Sequence, residues 1–467
     1  MSKNKHKTKK QNSVKQDEHK NENILKSNTI DKETQQNKDI LSINNIISIE
    51  TLQNKKTKTL CLNMIVKNEA HIIEYTLKNL CENTTIDYWV ICDTGSTDNT
   101  IEKINNFFKN KNIPGELHET PWKGFGFNRT IALEYAFGKT DYLLVFDADD
   151  ELCGKLIIPE DHYDSYLITL SNKNGFSFKR PALINNNKKW IYKGVLHEYI
   201  ECLENPTTQS SIDSDCYIYF SRNGNRSKNP NKYFEDAKIL ENAYYEALKT
   251  NDPLYLRYSF YCANSYKDAQ SHDNAIIWYK NTLKLENWHQ EKYISCLSLY
   301  EVYKRKNEEE QGIPYLILSY KYDKTRVECI YRLIRYYCIL NLDDMAFHFY
   351  KLIQDYYENN FMLDNVVSTK LFVNNDEYEF YLPYYMIIVA ERTKNYQVGI
   401  KMYDIIFKKN FQYVSVWSLN NLIYNLQFYL NKIDKESDFI SNCKKYFNEF
   451  YNKNNEVKIN MLLNYFL

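Results

Sequence analysis

The residues able to do chemistry fall in a few short polar clusters. The densest is VFDADDE, Val145–Glu151, where three aspartates and a glutamate occupy five positions directly after the apolar run YLLVF, Tyr142–Phe146. Carboxylates packed this closely repel one another. A divalent cation that prefers hard oxygen ligands would relieve that repulsion. It would also bridge a substrate diphosphate and neutralise a leaving group. The plain structural reading is a turn with acidic helix capping. A second cluster, DTGSTDNT, starts at Asp93 after the apolar run YWVIC. Gly95 permits a tight turn there, and Ser96, Thr97 or Asp98 can cap the next helix. Capping leaves Asp93 unexplained. A carboxylate at a strand end can accept hydrogen bonds from a base N–H or a ribose hydroxyl. A third cluster is Val66-Lys67-Asn68-Glu69. A fourth runs from Pro121, Trp122 and Lys123 to Asn128 and Arg129. Farther on, WIYKGVLHEYIE holds the pair His197-Glu198.

The elements between these clusters predict how they are positioned. TLCLNMIV (59–66), YWVIC (88–92), ELHET (116–120) and YLLVF (142–146) read as strands. Between them, KNEAHIIEYTLKNL carries helical spacing at Ile72, Ile73, Leu77 and Leu80, and IEKINNFFKN and FNRTIALEYAFG also read as helices. Strand alternating with helix is the pattern of a parallel α/β sheet covered on both faces. In such a sheet ligands bind beyond the carboxyl ends of the strands, where the strand order switches. All four polar clusters follow strands and so meet at that edge. SYLITL, FSFKRPALI, KKWIYKG and CYIYF read as a smaller antiparallel or mixed set, through about Phe220. SRNGNRSKNPN (221–231) reads as a polar linker.

From Lys232 the chain reads as helical, with a loose repeat. Tyr266, Tyr303 and Tyr337 take equivalent places 37 and 34 residues apart, each before a polar turn and a second helix. That period matches helix pairs of the tetratricopeptide kind, and residues 384–407 read as a further unit. An irregular helical bundle is the plainer alternative. Three regions follow: a polar tail over 1–58, too poor in apolar residues to offset its ordering entropy; an α/β unit over 59–222; and a helical unit over 231–467. A short helix within 39–52 and the basic run KNKHKTKK belong to the tail.

Composition narrows the classes. The chain has 467 residues, with 60 basic against 60 acidic. That balance argues against nucleic acid as the main partner. Eleven scattered cysteines without a CxxC pair fit neither a disulfide framework nor a zinc module, and suggest a reducing compartment. No run approaches the roughly 18–20 apolar residues of a membrane span, and the N-terminus lacks the apolar core of a secretory signal. The expectation is a cytoplasmic protein.

Read together, LNMIVKNEAHIIEYTLKNL, VICDTGSTDNT, FGFNRTIALEYA and LLVFDADDEL resemble the family-2 glycosyltransferases of the GT-A fold, and most closely the subgroup whose catalytic domain precedes tetratricopeptide repeats. WIYKGVLHEYIE is similar to that subgroup's W-x-Y-x-G-x-x-HE element. The resemblance implies a Rossmann-like mixed-sheet GT-A domain followed by an all-α repeat domain. It implies a UDP- or GDP-sugar donor and a divalent cation, Mn2+ or Mg2+. The nucleotide-sugar would be held by Val66, Asn68, Glu69, Asp93, Asn128, Arg129, Asp147 and Ala148. Asp149 would be nearest the metal, with His197 a second metal or diphosphate ligand. Glu198, near the acceptor, is the preferred base, with Asp150 beside it as a catalytic candidate and Asp164 and Glu201 as rivals. Arg226 joins Arg129 as a candidate diphosphate contact. Many members carry two acids before the Gly-Ser turn; here Thr94 takes the second place and leaves Asp93 alone. The implied acceptor is a protein or glycan hydroxyl, attacked with inversion. The helical half offers a groove for the acceptor or a surface for a homodimer.

A helical scaffold carrying a degenerate nucleotide-sugar domain has no use for an unpaired carboxylate cluster. A nucleotidyltransferase would want a Gly-rich, basic phosphate loop after the first strand, which KNEAH is not. A haloacid-dehalogenase phosphatase would want Thr or Val where Glu151 stands.

Overall fold

A computed structural model of the chain describes residues 58–172, 176–212, 215–221, 223–408, 415–433 and 438–454. The polar tail, with its short helix and basic run, lies outside these residues apart from Lys58. The first half follows from its apolar runs. Strands β1 (Leu60–Val66), β2 (Tyr88–Asp93), β3 (Gly115–Glu119) and β4 (Tyr142–Val145) alternate with helices α1 (Ile73–Asn83), α2 (Thr100–Lys111) and α3 (Phe125–Ala136). Their order in the sheet is β3-β2-β1-β4, all parallel. β1, β2 and β4 are apolar nearly throughout because helices cover both faces. Trp89 stacks on Phe108 of α2 at 4.4 Å, which seats that helix on the sheet. The chain winds from β1 toward β3 and then returns to place β4 on the other side of β1. The switch point therefore lies between β1 and β4.

The later strands extend this sheet instead of forming a set of their own. Beyond β4 come β7 (Phe176–Asn185), β6 (Ser165–Ser171), β11 (Tyr217–Phe220) and β5 (Asp150–Cys153). β7 is antiparallel to both β4 and β6, β11 is parallel to β6, and β5 is antiparallel to β11. The acidic run is thus half turn and half strand, since β5 begins at Asp150. β8 (Trp190–Lys193) and β9 (Tyr199–Cys202) form a separate hairpin. β10 (Gln209–Ser211) adds to β6.

The second half is built of helix pairs: α4 (Lys232–Thr250), α5 (Leu254–Asp268), α6 (His272–Lys284), α7 (His289–Arg305), α8 (Glu309–Tyr322), α9 (Glu328–Ile339), α10 (Asp343–Lys351), α11 (Leu363–Thr369), α12 (Leu382–Arg392), α13 (Tyr396–Phe407), α14 (Val416–Leu426) and α15 (Asp438–Asn454). Four turns join α5 to α6, α7 to α8, α9 to α10 and α12 to α13. Each turn has a left-handed residue: Gln270, Asn307, Asn341 and Lys394, with φ of 58°, 60°, 58° and 59°. In each, the next residue's N–H donates back to the carbonyl of Tyr266, Tyr303, Tyr337 or Ala390, at 2.7–2.9 Å. This is the 6→1 bond of a Schellman stop. The tyrosine spacing seen in the sequence therefore marks one fixed position in a repeated turn. α4 ends the same way at Asn251, so the spacing rather than the motif marks the repeat.

The two halves touch. Val373–Asn374 (β12), from the helical half, pairs with the start of β7. The segment leading into β12 is tied down by Arg326, which is fully buried. Its guanidinium donates to the Leu371 and Phe372 carbonyls (2.6 and 3.2 Å), to Gln290 and to the Glu328 carboxylate. A buried guanidinium is tolerated because its N–H groups meet acceptors. The eleven cysteines are free thiols, nine of them buried. Among the described residues no helix is long and apolar enough to cross a membrane.

Candidate functional site

The carboxyl ends of β1 and β4 open onto a cleft of about 500 Å³. Its walls include Val66, Glu69 and Thr94 from the β1 and β2 ends, Trp122, Phe125 and Arg129 around α3, Asp147–Asp149 after β4, and residues of the 224–232 stretch.

Arginines meet much of the acidic run. Arg129, from α3, donates through Nη2 to Asp147 Oδ1 at 2.6 Å and through Nε to Glu198 Oε1 at 2.7 Å. Arg180, from β7, donates through Nη2 to Asp147 Oδ2 at 3.2 Å and lies 3.9 Å from Asp150 Oδ2. Burial works against an ionised Asp147, but Arg129 and Arg180 outweigh it and hold that carboxyl well below its ordinary range. Asp150 goes the other way. It is 5 % exposed, and burial together with the Asp147 charge pushes its carboxyl well up despite Arg180. A cation is therefore not needed to neutralise Asp147, as the sequence reading supposed, because two guanidinium groups already do so. Likewise Arg129, expected at a diphosphate, donates instead to two carboxylates.

Asp149 and Glu69 differ from Asp147 in meeting backbone instead of side-chain cations. Asp149 Oδ2 accepts from the Gly224 N–H at 3.0 Å, and its carbonyl accepts from the Ser221 hydroxyl at 2.6 Å. Both Glu69 oxygens accept from the Asn225 N–H, at 3.1 and 3.2 Å. Burial raises the Asp149 carboxyl, and the Asp147 charge adds to it. Burial likewise pushes Glu69 up to about 7, with the Asp149 charge contributing. The stretch read as a linker is therefore a strap across one wall of the cleft. His71 Nε2 meets the Asn223 carbonyl at 2.9 Å, and Arg226 pairs with Asp236 while lying 4.8 Å over the Phe125 ring. Gly224 has to be small: a Cβ there would sit 2.7 Å from Asp149 Oδ2.

The other expected donor contacts divide into those with an open valence and those without. Asp93 is buried, and its Oδ2 accepts from the N–H groups of Gly95 and Ser96 at 2.9 and 2.8 Å. Its Oδ1 is buried with no hydrogen-bond partner among the described residues, which calls for a donor that a ligand could supply. Asn68, with φ 56°, staples the β1 end to the β2 loop: its N–H donates to Ser96 Oγ at 2.8 Å and its Oδ1 accepts from the Thr97 N–H at 2.7 Å. Asn128 is fully buried, accepting from the Lys123 N–H at 2.9 Å and donating to the Pro121 carbonyl at 3.0 Å. It holds the Trp122 loop and is turned away from any ligand. The carbonyls of Val66 and Ala148 are already taken, by Thr94 and Thr76.

His197 is engaged by the helical half. Its backbone is left-handed (φ 52°), its ring stacks on Tyr261 at 4.3 Å, and its carbonyl accepts two N–H bonds from Arg257. Solvent reaches the ring, but protein mass surrounds it; that desolvation, with Arg257, Arg226 and Lys232, lowers its pKa to about 4. Among the described residues no three His, Cys, Asp or Glu side chains are placed to hold a metal, so the expected Asp149–His197 pairing is not part of a protein-only cage. Mg2+ and similar ions commonly use one or two carboxylates plus substrate phosphates, and Asp149 fits that lesser role. Of the rival bases, Asp164 is engaged by Thr208 and Lys188, and Glu201 by Lys193.

Residues 61–157 match the model of glycosyl transferase family 2. That span runs from β1 past β5 and contains Glu69, Asp93, Arg129, Asp147 and Asp149. Solved structures of similar shape include S. aureus TarS 1–349 in complex with UDP-GlcNAc, at 16% identity and a TM-score of 0.32, covering 65% of this chain and 93% of that one. A longer TarS crystal structure matches at 16% identity and TM-score 0.30, over 52% of this chain, which spans about half (49%) of TarS. The mannosyltransferase PcManGT from Pyrobaculum calidifontis, in complex with GDP-Man and Mn2+, matches at 12% identity and TM-score 0.29, covering 57% and 88%. Scores this low carry no argument about function.

Proposed function

We propose that this chain is a metal-dependent glycosyltransferase, moving a hexosyl group from a UDP- or GDP-sugar to a hydroxyl of a protein or glycan with inversion. One observation carries the reading. At the β1/β4 switch point a single cleft gathers two carboxylates pushed toward their neutral forms, Glu69 and Asp149, with the cationic Arg226 and Lys232. That set suits a diphosphate accompanied by a divalent ion. The family match over 61–157 supports the same reading.

In this mechanism the acceptor oxygen bonds to the anomeric carbon as the bond from that carbon to the diphosphate oxygen breaks. Glu198, oriented by the Arg129 Nε hydrogen bond, takes the hydroxyl proton. Arg226 and Lys232 face the charge growing on the departing diphosphate. Asp93 Oδ1 accepts from the nucleoside. Asp150, buried beside Arg180, positions the acidic turn and takes no part in the proton transfer. Mn2+ or Mg2+ held by Asp149 and phosphate oxygens would neutralise part of the leaving group's charge. In this assignment 59–222 is the catalytic unit and 231–467 a tetratricopeptide-like unit, acting in a cytoplasmic setting.

Calorimetric titration with UDP- and GDP-sugars in Mn2+ tests this. One of them is expected to bind, and Asp149→Asn is expected to weaken it at least tenfold in Mn2+ while leaving metal-free affinity within twofold. Failure of every nucleotide-sugar to bind would overturn the reading.

A further inference from the structure

A second cavity, of about 530 Å³, lies where the β8–β9 hairpin meets the starts of α5 and α7. We infer that it binds a neutral glycosyl ring of the acceptor, which makes the acceptor a glycan or glycoside. This rests on the glycosyltransferase reading above and goes beyond it by choosing the acceptor class.

Two of its lining side chains are large aromatics left open to solvent, Trp288 (49 % exposed) and Tyr199 (37 %). The negative face of an aromatic ring attracts the polarised C–H groups on the flat side of a pyranose. The charges between them balance. Lys193 and Arg257 stand against Asp252 and Glu291. Lys193 is paired with Glu201 at 2.8 Å, and Arg257 is spent on the His197 carbonyl (3.0 and 2.7 Å) and on the faces of Tyr199 and Tyr261. No surplus cation remains for a phosphate. Glu291 is 6 % exposed and accepts from Asn287 Nδ2 at 2.8 Å. Asn287 Oδ1 is itself buried without a partner among the described residues. A carboxylate acceptor, Glu291, beside an aromatic wall suits a ring of hydroxyl donors. The volume is in the usual range for small-ligand sites, which favour such joins between structural units.

The cavity also lies next to the proposed chemistry. Gly194, on its wall, is left-handed (φ 107°), and a Cβ there would come 3.4 Å from Glu198 Cα. Arg257 holds the backbone of His197, the neighbour of Glu198. A ring seated between Trp288 and Tyr199 would present an attached hydroxyl toward the Glu198 side of the hairpin.

The test titrates the full chain, with and without UDP and Mn2+, against the methyl glycosides of glucose, galactose, mannose and N-acetylglucosamine, and against a neutral Ser/Thr peptide, reading heat by calorimetry. At least one glycoside is expected to bind and saturate. Trp288→Ala is expected to weaken it at least tenfold, and Trp288→Phe to restore it to within threefold. The inference is overturned if no glycoside binds, if binding is unchanged in Trp288→Ala, or if only the peptide saturates. UDP binding on the same sample reports the donor site separately, so a failed cavity and a failed donor site give different results.

Discussion

Arg129 joins the acidic turn to Glu198, so its removal should be the most costly single change at the site. Arg129→Met keeps most of the side-chain volume and removes both ion pairs. Asp147 and Glu198 then remain with side chains only 25% and 11% exposed. Removing one partner of a buried pair typically costs about 3–5 kcal/mol. Asp147 keeps Arg180 at 3.2 Å, which places the expected loss near the low end, about 3 kcal/mol. Arg180→Met, removing a longer contact from a side chain that is 32% exposed, should cost about 1 kcal/mol. Adding Glu198→Gln to Arg129→Met removes one of the two stranded charges and should return about 1 kcal/mol. The sign with pH follows from the depressed Asp147 pKa. Its stabilising share is complete above the ordinary carboxyl range and is lost as pH falls through the folded value. In Arg129→Met the stranded Asp147 takes up a proton more readily, so the deficit shrinks as pH falls from 7 toward 4. The assay is urea unfolding of the four proteins across that range. A deficit below about 1 kcal/mol at pH 7, or one that grows on acidification, would refute the argument that Arg129 neutralises this turn.

Other outcomes follow from the strap. Gly224→Ala places a methyl 2.7 Å from Asp149 Oδ2, so the carboxylate must swing off the Gly224 N–H; calorimetry should show UDP affinity in Mn2+ falling about tenfold while unfolding shifts by no more than about 1 kcal/mol. Glu69 has its folded pKa raised to about 7, so the fold holds that proton more tightly than the unfolded chain and stability declines as pH rises from about 4.5 to 7. Glu69→Gln escapes this decline and should exceed the parent at pH 8 by about 1–2 kcal/mol after solvent screening, with no advantage at pH 4; a pH series of unfolding midpoints checks it.

The strands β1–β4 and their helices were readable because parallel strands buried on both faces appear as continuous apolar runs, and amphipathic helices as 3.6-residue spacing. The acids were readable because charge at the end of such a run is conspicuous. Their partners were harder to see. Arg180 stands inside FSFKRPALI next to Lys179, where such a cation resembles the solvent face of a strand, and nothing local reveals that β7 lies against β4. SRNGNRSKNPN has the composition of a linker whether or not it packs. Its role comes from backbone N–H groups, which every sequence has, so only the fold could reveal that Gly224 and Asn225 meet Asp149 and Glu69. The strands after Glu151 were seen, but their joining of the main sheet depends on long-range register. The tyrosine spacing disclosed three of the helix pairs. The fourth, at 384–407, has Ala390 at the marker position and was recognised by its apolar pattern alone.

The most direct test of the central claim is turnover. The intact protein is incubated with UDP- and GDP-sugars, with Mn2+ and with chelator, and released nucleoside diphosphate is measured. The account predicts slow release from one donor that depends on Mn2+ and falls at least a hundredfold in Asp149→Asn. Release that persists unchanged in chelator and in Asp149→Asn would contradict it.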